Sequence, residues 1–244
     1  MIVKNEEQNL LRLLPALEDF REIIIVDSTS DDSTARIARS WGGSVMSRPF
    51  DNFANQKNFA VEQATSEWVF SLDADEFPDQ ELLRSLKDEL TRGEKSKISG
   101  YRIQRKNVHF GRELKWAGQG KDYPLRVFKK KSGRFVGPVH EYVKIQGLVA
   151  RLKGCLIHKS NQSVGDYLEK LVLYSRLEAE STKQERKGTS GWHWGLKPIL
   201  RFIYFYVFRL GFLDGFEGFV FHSLSSFYLV MKEGRLSEES GRLV

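Results

Sequence analysis

Residues 1–92 alternate short apolar runs with stretches in which apolar side chains recur every three or four positions. The β-branched run 22–26 and the aromatic run 68–72 have the composition of buried strands, and residues 44–47 suit a shorter one. Helical spacing predicts helices at residues 7–17, 34–40, 54–64 and 79–92. This order predicts an α/β fold with a mostly parallel, right-handed sheet sandwiched by helices.

The opening run Met1-Ile2-Val3 is short for a strand that lies inside a sheet. We expect that the chain begins late in its first strand or that its start is truncated. Asn5 and Glu7 then supply an N-cap and a first-turn acid for the first helix.

Past Gly93 the apolar segments become shorter and alternate with polar residues. They predict antiparallel or mixed strands at residues 100–105, 125–129, 139–145 and 149–157. A long helix is predicted from Val164 to Arg186, followed by a break at residues 187–191. The break predicts a domain of residues 1–187 and a C-terminal helical appendage of residues 188–244.

Two acids, Asp73 and Asp75, follow the aromatic run directly. Because side chains alternate along a strand, two acids that are two residues apart would point to the same side if the strand stayed extended. Ligands of open α/β sheets collect at the carboxyl ends of the strands, and hard oxygen ligands suit Mg²⁺ or Mn²⁺ together with phosphates. The position therefore predicts a metal and diphosphate site, although Asp-x-Asp alone is common in loops.

The composition bears on the size of the core, on the charge of the partners and on the cellular compartment. A chain of 244 residues that is 41% hydrophobic can build one sizeable core with an appendage. Its net charge of +6 favours anionic partners without choosing among a nucleotide diphosphate, a phosphorylated acceptor, an acidic membrane face and nucleic acid. With Cys155 as the single cysteine and no N-terminal signal pattern, we expect a cytoplasmic protein.

The C-terminal segments 199–209 and 216–231 are aromatic, apolar and partly basic. Their uncharged stretches are too short to span a bilayer, so we expect peripheral docking on the anionic inner face of the cytoplasmic membrane. Packing against the catalytic domain, or against another subunit of a homo-oligomer, stays open as the alternative.

Seven short motifs, in their order along most of the chain, resemble those of family-2 glycosyltransferases with the GT-A fold. They are Val3-Lys4-Asn5-Glu6-Glu7, the strand ending at Asp27 with its Ser/Asp turn, Gln56-Lys57-Asn58, Leu72-Asp73-Ala74-Asp75-Glu76, Tyr123-Pro124-x-Arg126, Gly137-Pro138-Val139-His140-Glu141 and Gly211-Phe212-Leu213-Asp214-Gly215. The combination is similar to the bacterial subgroup that includes lipopolysaccharide core β-glucosyltransferases. The resemblance implies a GT-A-type, Rossmann-like domain.

The resemblance also implies roles for individual residues. Asp27 would contact the nucleotide base or ribose, and Asp73 and Asp75 would form the metal and diphosphate motif. The two walls of the nucleotide pocket would be formed by Lys4, Asn5 and Glu6 on one side and by Gln56 and Lys57 on the other. Because the Gln-x-x-Arg-Trp motif of processive members is absent, we expect a single sugar addition.

Members of the family resemble one another in inverting the anomeric centre in one displacement. Lys57 or Arg126 would then act as a fixed cation on the leaving diphosphate. Glu141 is our choice for the base, with Asp122 in reserve. His158, at a predicted strand end, is either a hydrogen-bonded structural group or a third metal ligand.

The sequence thus predicts transfer of a hexose, with glucose first, from a nucleotide diphosphate sugar to a lipopolysaccharide-core or other lipid-linked acceptor. A nucleotidyltransferase is the enzymatic alternative, although no Gly-rich phosphate loop is present. A phosphatase with Asp73 as nucleophile lacks a supporting Lys or Thr pattern. A non-enzymatic membrane or nucleic-acid binding module would leave Asp27, Asp73 and Asp75 unexplained, so we expect no nucleic-acid partner.

Overall fold

The computed structural model describes residues 1–91, 97–137, 141–182 and 195–239, without the side chains of 179–182 and 239. The strands are β1 Ile2–Val3, β2 Ile24–Asp27, β3 Ser44–Ser47, β4 Trp68–Phe70, β5 Glu76–Pro78, β6 Ile98–His109, β7 Arg112–Glu113, β8 Leu125–Lys129, β9 Gly133–Val136, β10 Tyr142–Ile145 and β11 Leu148–Asn161. The helices are α1 Glu7–Leu13, α2 Thr34–Ser40, α3 Phe53–Gln63, α4 Gln80–Thr91, α5 Val164–Thr182, α6 Leu196–Ile203 and α7 Gly215–Glu239.

The chain forms two compact units. The first contains Met1–Arg105 and Tyr123–His158, and the second contains Lys106–Asp122 and Lys159–Val244. The predicted break at residues 187–191 lies outside the described residues. In the second unit, the Asp214 carboxylate accepts hydrogen bonds from the backbone amides of Lys115 and Trp116, at 2.9 and 3.0 Å. This contact joins the segment Lys106–Asp122 to the C-terminal part of the chain, which explains why the segment belongs to the second unit.

The first unit begins with the parallel sheet β1-β2-β3, which confirms the α/β prediction. β1 pairs with β2 through Val3 and Asp27, and Asp27 also pairs with Ser47 of β3. Ile25 and Val26 of β2 are buried because helices cover this sheet. Its apolar core is formed by Val3, Leu10, Leu14, Ile25, Ile37, Ala38 and Ala74. Since parallel strands end together, the loops after β1 and β2 lie side by side.

β4 does not pair with this parallel sheet. It pairs antiparallel with β8 in a second sheet ordered β4-β8-β6-β11-β5, with Val69 opposite Phe128. The pairs β6–β8 and β5–β11 are antiparallel too, in line with the mixed strands expected past residue 93. The parallel part of the fold is therefore three strands wide among the described residues. The same unit contains a cavity of about 910 Å³ that is lined by Met1 and Ile24 as well as by Trp68 and Phe70.

The second unit is mainly helical, as expected for a C-terminal appendage. α7 packs on α5, where Arg235 Nε donates to Ser175 Oγ at 2.9 Å, and the Tyr167 and Phe221 rings stack at 5.4 Å. None of the described helices combines the length and the apolar character that crossing a membrane requires.

Candidate active site

The predicted acids Asp73 and Asp75 lie in a turn and not on an extended strand. β4 ends at Phe70, and the Glu76 amide donates to the Asp73 carbonyl at 3.0 Å, which closes a tight turn before β5. The condition under which both carboxylates would share one strand face is therefore not met.

Asp73 lies between two buried cations. Its Oδ1 is 2.7 Å from Lys57 Nζ, and its Oδ2 is 2.7 Å from an Arg126 guanidinium nitrogen. Lys57 Nζ also approaches Glu141 Oε1 at 2.6 Å. Three residues predicted for separate roles, namely the diphosphate cation, the metal acid and the base, are thus joined in one chain of ion pairs.

Two further residues complete this cluster. Glu76, whose side chain is fully buried, accepts hydrogen bonds from Arg126 and from Arg105, the latter at 3.1 Å. Among the described contacts, the cluster joins three cations, Lys57, Arg105 and Arg126, to three carboxylates, Asp73, Glu76 and Glu141.

The charges fix the ionisation of the central pair. Burial opposes ionisation of Asp73, but the charges of Arg126 and Lys57 outweigh it and hold the pKa of this carboxyl well below its usual range. Burial likewise disfavours the Arg126 cation, but Asp73 and Glu76 more than compensate and raise the pKa of the guanidinium. Both groups remain charged at every physiological pH.

Asp75 faces His158. Its Oδ2 lies 3.4 Å from His158 Nε2, because β11 pairs with β5 and sets His158 opposite Glu76. Both side chains are partly exposed, at 19% and 15%. Across the described ranges no group of three or more potential ligands is close enough to hold a metal ion by itself. Asp75 and His158 provide one oxygen and one nitrogen donor.

The predicted nucleotide loops interlock after β1 and β2. Asp27 is buried, and its carboxylate accepts hydrogen bonds from the Ser30 amide, at 3.2 Å, and from the Ser30 hydroxyl. The Asn5 amide donates to Ser30 Oγ at 2.9 Å, and the Glu6 amide donates to Thr34 Oγ1 at 2.7 Å. Lys4 lies exposed in the same loop. These hydrogen bonds hold the two loops together next to Asp27.

Helix α3 connects this loop region with the ion-pair cluster. It begins after Asn52, whose side chain accepts a hydrogen bond from the Asn55 amide at 2.8 Å. Gln56 Nε2 donates to Ser28 Oγ at 3.0 Å, while its neighbour Lys57 reaches Asp73. Gln56 Oε1 is buried without a hydrogen-bond partner among the described residues.

The remaining predicted residues differ in what the structure shows of them. Asp122 belongs to the second unit, where its carboxylate accepts a hydrogen bond from Asn107 at 3.3 Å. Residues 138–140 of the predicted motif before Glu141 lie outside the described residues.

Sequence reasoning missed Glu76 and Arg105 as members of the site. A signal for Arg105 was present, since it continues the alternation of the buried residues Tyr101 and Ile103 on one face of β6. A cation at an inward strand position requires a buried partner. Glu76 was visible as the third acid of its motif, but its burial follows from pairing with β11.

Comparisons with known proteins identify the family of this chain. The family model described as Glycosyl transferase family 2 matches residues 1–150. The chain is 31% identical, over 229 residues, to the lipopolysaccharide core biosynthesis glycosyltransferase LpsC of Rhizobium meliloti (strain 1021). The matched region covers 90% of this chain and 84% of LpsC. The chain is 26% identical, over 251 residues, to an uncharacterized glycosyltransferase of Rickettsia typhi, covering 98% and 86%. Among solved structures, S. aureus TarS 1-349 in complex with UDP-GlcNAc is similar with a TM-score of 0.49 and 15% identity, covering 99% of this chain and 90% of that one.

Proposed function

This chain belongs to glycosyl transferase family 2, and from that premise we propose that it transfers a hexose, with inversion, from a nucleotide diphosphate sugar to a lipid-linked glycan. Glucose is the first candidate for the sugar. The lipopolysaccharide core is the first candidate for the acceptor, because the relative LpsC carries that name. The observation that carries the proposal is the ion-pair cluster around Asp73, which helix α3 connects to the loops after β1 and β2.

In this proposal the nucleotide lies along those loops. Asp27 contacts the base or ribose, and the loop of Lys4, Asn5 and Glu6 forms one wall. Gln56 forms the other wall, and its unpartnered buried Oε1 accepts a hydrogen bond from the nucleotide. The diphosphate then reaches the cluster beside Lys57, one residue further along α3.

The charge balance of the cluster supports the need for a divalent cation. Lys57 and Arg126 are each already in contact with two carboxylates, and Asp75 adds one more negative charge, so a diphosphate that binds here needs additional positive charge. Asp75 and His158 would hold Mg²⁺ or Mn²⁺, with most of its ligands coming from phosphate and water. Asp73 would join them only by giving up one of its two ion pairs. Such a cation, when bound, neutralises charge that develops on the leaving diphosphate.

The protein's own residues supply the proton transfer. The acceptor hydroxyl oxygen forms a bond to the anomeric carbon while the bond from that carbon to the diphosphate oxygen breaks. Glu141, which is 16% exposed and therefore within reach of an acceptor, takes the hydroxyl proton. Lys57 and Arg126 are held in place by carboxylates before the substrate binds, so no reorganisation is needed as charge develops.

A thermal-shift panel tests this function. The full chain is heated with UDP-, GDP-, ADP- and dTDP-hexoses, each with Mn²⁺, with Mg²⁺ and with EDTA, and with the metals alone. We expect one nucleotide class to raise Tm only when a metal is present, because selective binding to the folded state stabilises it. Equal shifts with and without metal would remove the cation from the proposal, and no shift with any donor would contradict donor binding at this site.

A further inference from the structure

In the second unit, one helical segment turns its apolar face toward solvent. α6 and the π-helical turn Tyr204–Phe208 that continues it contain no buried residue. The exposed side chains recur at helical spacing, and we call them the outward face: Leu196, Ile199, Leu200, Ile203, Tyr204, Val207 and Phe208. Apart from the Tyr204 hydroxyl, these side chains are apolar, and the exposed Lys197 lies beside them on the same helix.

The opposite face of the segment is the one that packs on α7. The rings of Phe202 and Phe219 meet edge to face with 5.9 Å between their centroids, and the rings of Phe205 and His222 are parallel with 6.1 Å between their centroids. Arg201 lies on this inner side, where it donates to Ser225 Oγ at 3.3 Å. A surface helix of a water-soluble protein normally has the reverse arrangement, with its charge in water and its apolar stripe inside.

The exposed apolar surface continues beyond this segment. Phe208 is 73% exposed and Phe216, in the first turn of α7, is 75% exposed. Phe212 and Leu213 lie between them in sequence and are both 44% exposed. An accumulation of exposed large apolar side chains of this kind marks an interaction site.

The charges at this surface are mainly positive. Residues 196–217 contain three basic side chains, Lys197, Arg201 and Arg209, and two acids, Asp214 and Glu217. Asp214 is buried and accepts hydrogen bonds from two backbone amides, and Glu217 pairs with Arg112 at 3.2 Å. Lys197 and Arg209 are exposed. The surface therefore presents apolar and aromatic side chains with cations beside them.

We propose that the outward face, together with Phe212, Leu213 and Phe216, docks on the interface of an anionic lipid bilayer. The aromatic and aliphatic side chains enter the headgroup and acyl boundary, while Lys197 and Arg209 contact anionic headgroups. This inference rests on the surface alone and holds whichever sugar or acceptor the enzyme uses. A second copy of the chain would have to bury these cations against an identical cationic surface, which disfavours a symmetric dimer through this face.

Vesicle co-sedimentation of the full chain tests the proposal without any nucleotide. The vesicles contain either phosphatidylcholine alone or an equimolar mixture with phosphatidylglycerol. Binding is measured at about 0.1 M and about 1 M salt, between which the Debye length falls from about 10 Å to about 3 Å. We expect the strongest binding to the anionic vesicles at low salt.

Matched variants locate the surface. Leu200→Gln and Leu148→Gln make the same change at side chains that are 60% and 61% exposed, the first on the outward face and the second in the first unit. We expect Leu200→Gln to weaken partitioning by roughly fivefold to tenfold and Leu148→Gln to leave it unchanged. Lys197→Gln should weaken binding to anionic vesicles by about fivefold and leave binding to neutral ones unchanged. Phe208→Gln serves as the second apolar variant if Leu200→Gln fails to fold by circular dichroism.

Three results would overturn the proposal. The full chain could remain in the supernatant with both kinds of vesicle. Leu148→Gln could weaken binding as much as Leu200→Gln. Light scattering could instead show a dimer that Leu200→Gln or Phe208→Gln dissociates, in which case a second copy covers the face. Because no donor is present, any of these results would leave the proposed sugar transfer to be judged by the thermal-shift panel.

Discussion

Removing the charge of Glu76 should destabilise the first unit far more than removing a surface carboxylate. Glu76 is fully buried and accepts hydrogen bonds from Arg126, Arg105 and the Asp73 amide. In Glu76→Gln, Arg126 and Arg105 each lose an ion pair to a fully buried carboxylate. Breaking buried ion pairs costs about 3–5 kcal/mol, and we expect the lower end because the glutamine oxygen still accepts one hydrogen bond.

Urea unfolding measures this effect. A loss of about 3 kcal/mol would lower the midpoint by roughly 1–3 M at an m-value of about 1–3 kcal/mol/M. The control is Glu67→Gln, the same change in the same unit at a carboxylate that is 63% exposed and lies 3.3 Å from Lys129. Since water screens an exposed pair, the control should lose less than about 1 kcal/mol.

A double variant separates charge imbalance from lost packing. Arg105→Gln combined with Glu76→Gln removes one cation together with the carboxylate that it contacts. We expect the double variant to recover part of the stability lost in Glu76→Gln, as a positive coupling in the double-mutant cycle. Equal losses for Glu76→Gln and Glu67→Gln, or additive losses in the double variant, would refute the charge-balance reasoning.

Three further outcomes are expected. Glu141→Gln should lower kcat by about 10²-fold to 10⁴-fold with nearly unchanged donor affinity, measured by steady-state kinetics and calorimetry; lost donor binding would instead assign Glu141 to the donor pocket. Asp75→Asn should abolish transfer and the Mn²⁺-dependent part of the donor-induced Tm shift while leaving the ligand-free Tm unchanged, whereas full activity of this variant in EDTA would exclude the metal role. Because the folded pKa of Asp73 is depressed, its contribution to stability is complete above its unfolded pKa of about 4 and is lost as pH falls toward the lower folded pKa. The stability difference between wild type and Asp73→Asn should therefore stay constant from about pH 5 to 7 and shrink below about pH 4, and a difference that grows on acidification would contradict the assignment.

Local patterns were sufficient for most of the elements. The predicted helix at residues 34–40 coincides with α2, and α3 and α4 differ from their predicted bounds by one residue at each end within the described residues. The predicted strand 125–129 coincides with β8. These successes have a common cause, because side-chain periodicity records which face of an element is buried, and that information is contained in the element itself.

The sequence by itself determined the α/β order and the family, together with the position of acidic residues after β4, because each depends on residues close together in the chain. The tertiary structure alone decided which charges meet. Lys57 and Glu141 are 84 positions apart, and Asp73 and Arg126 are 53 apart. It also decided that β4 pairs with β8 and that Asp75 faces His158, since strand pairing is fixed by contacts distant in sequence. No periodicity encodes such partners, because the free energy of a buried charge depends on everything that folding brings around it.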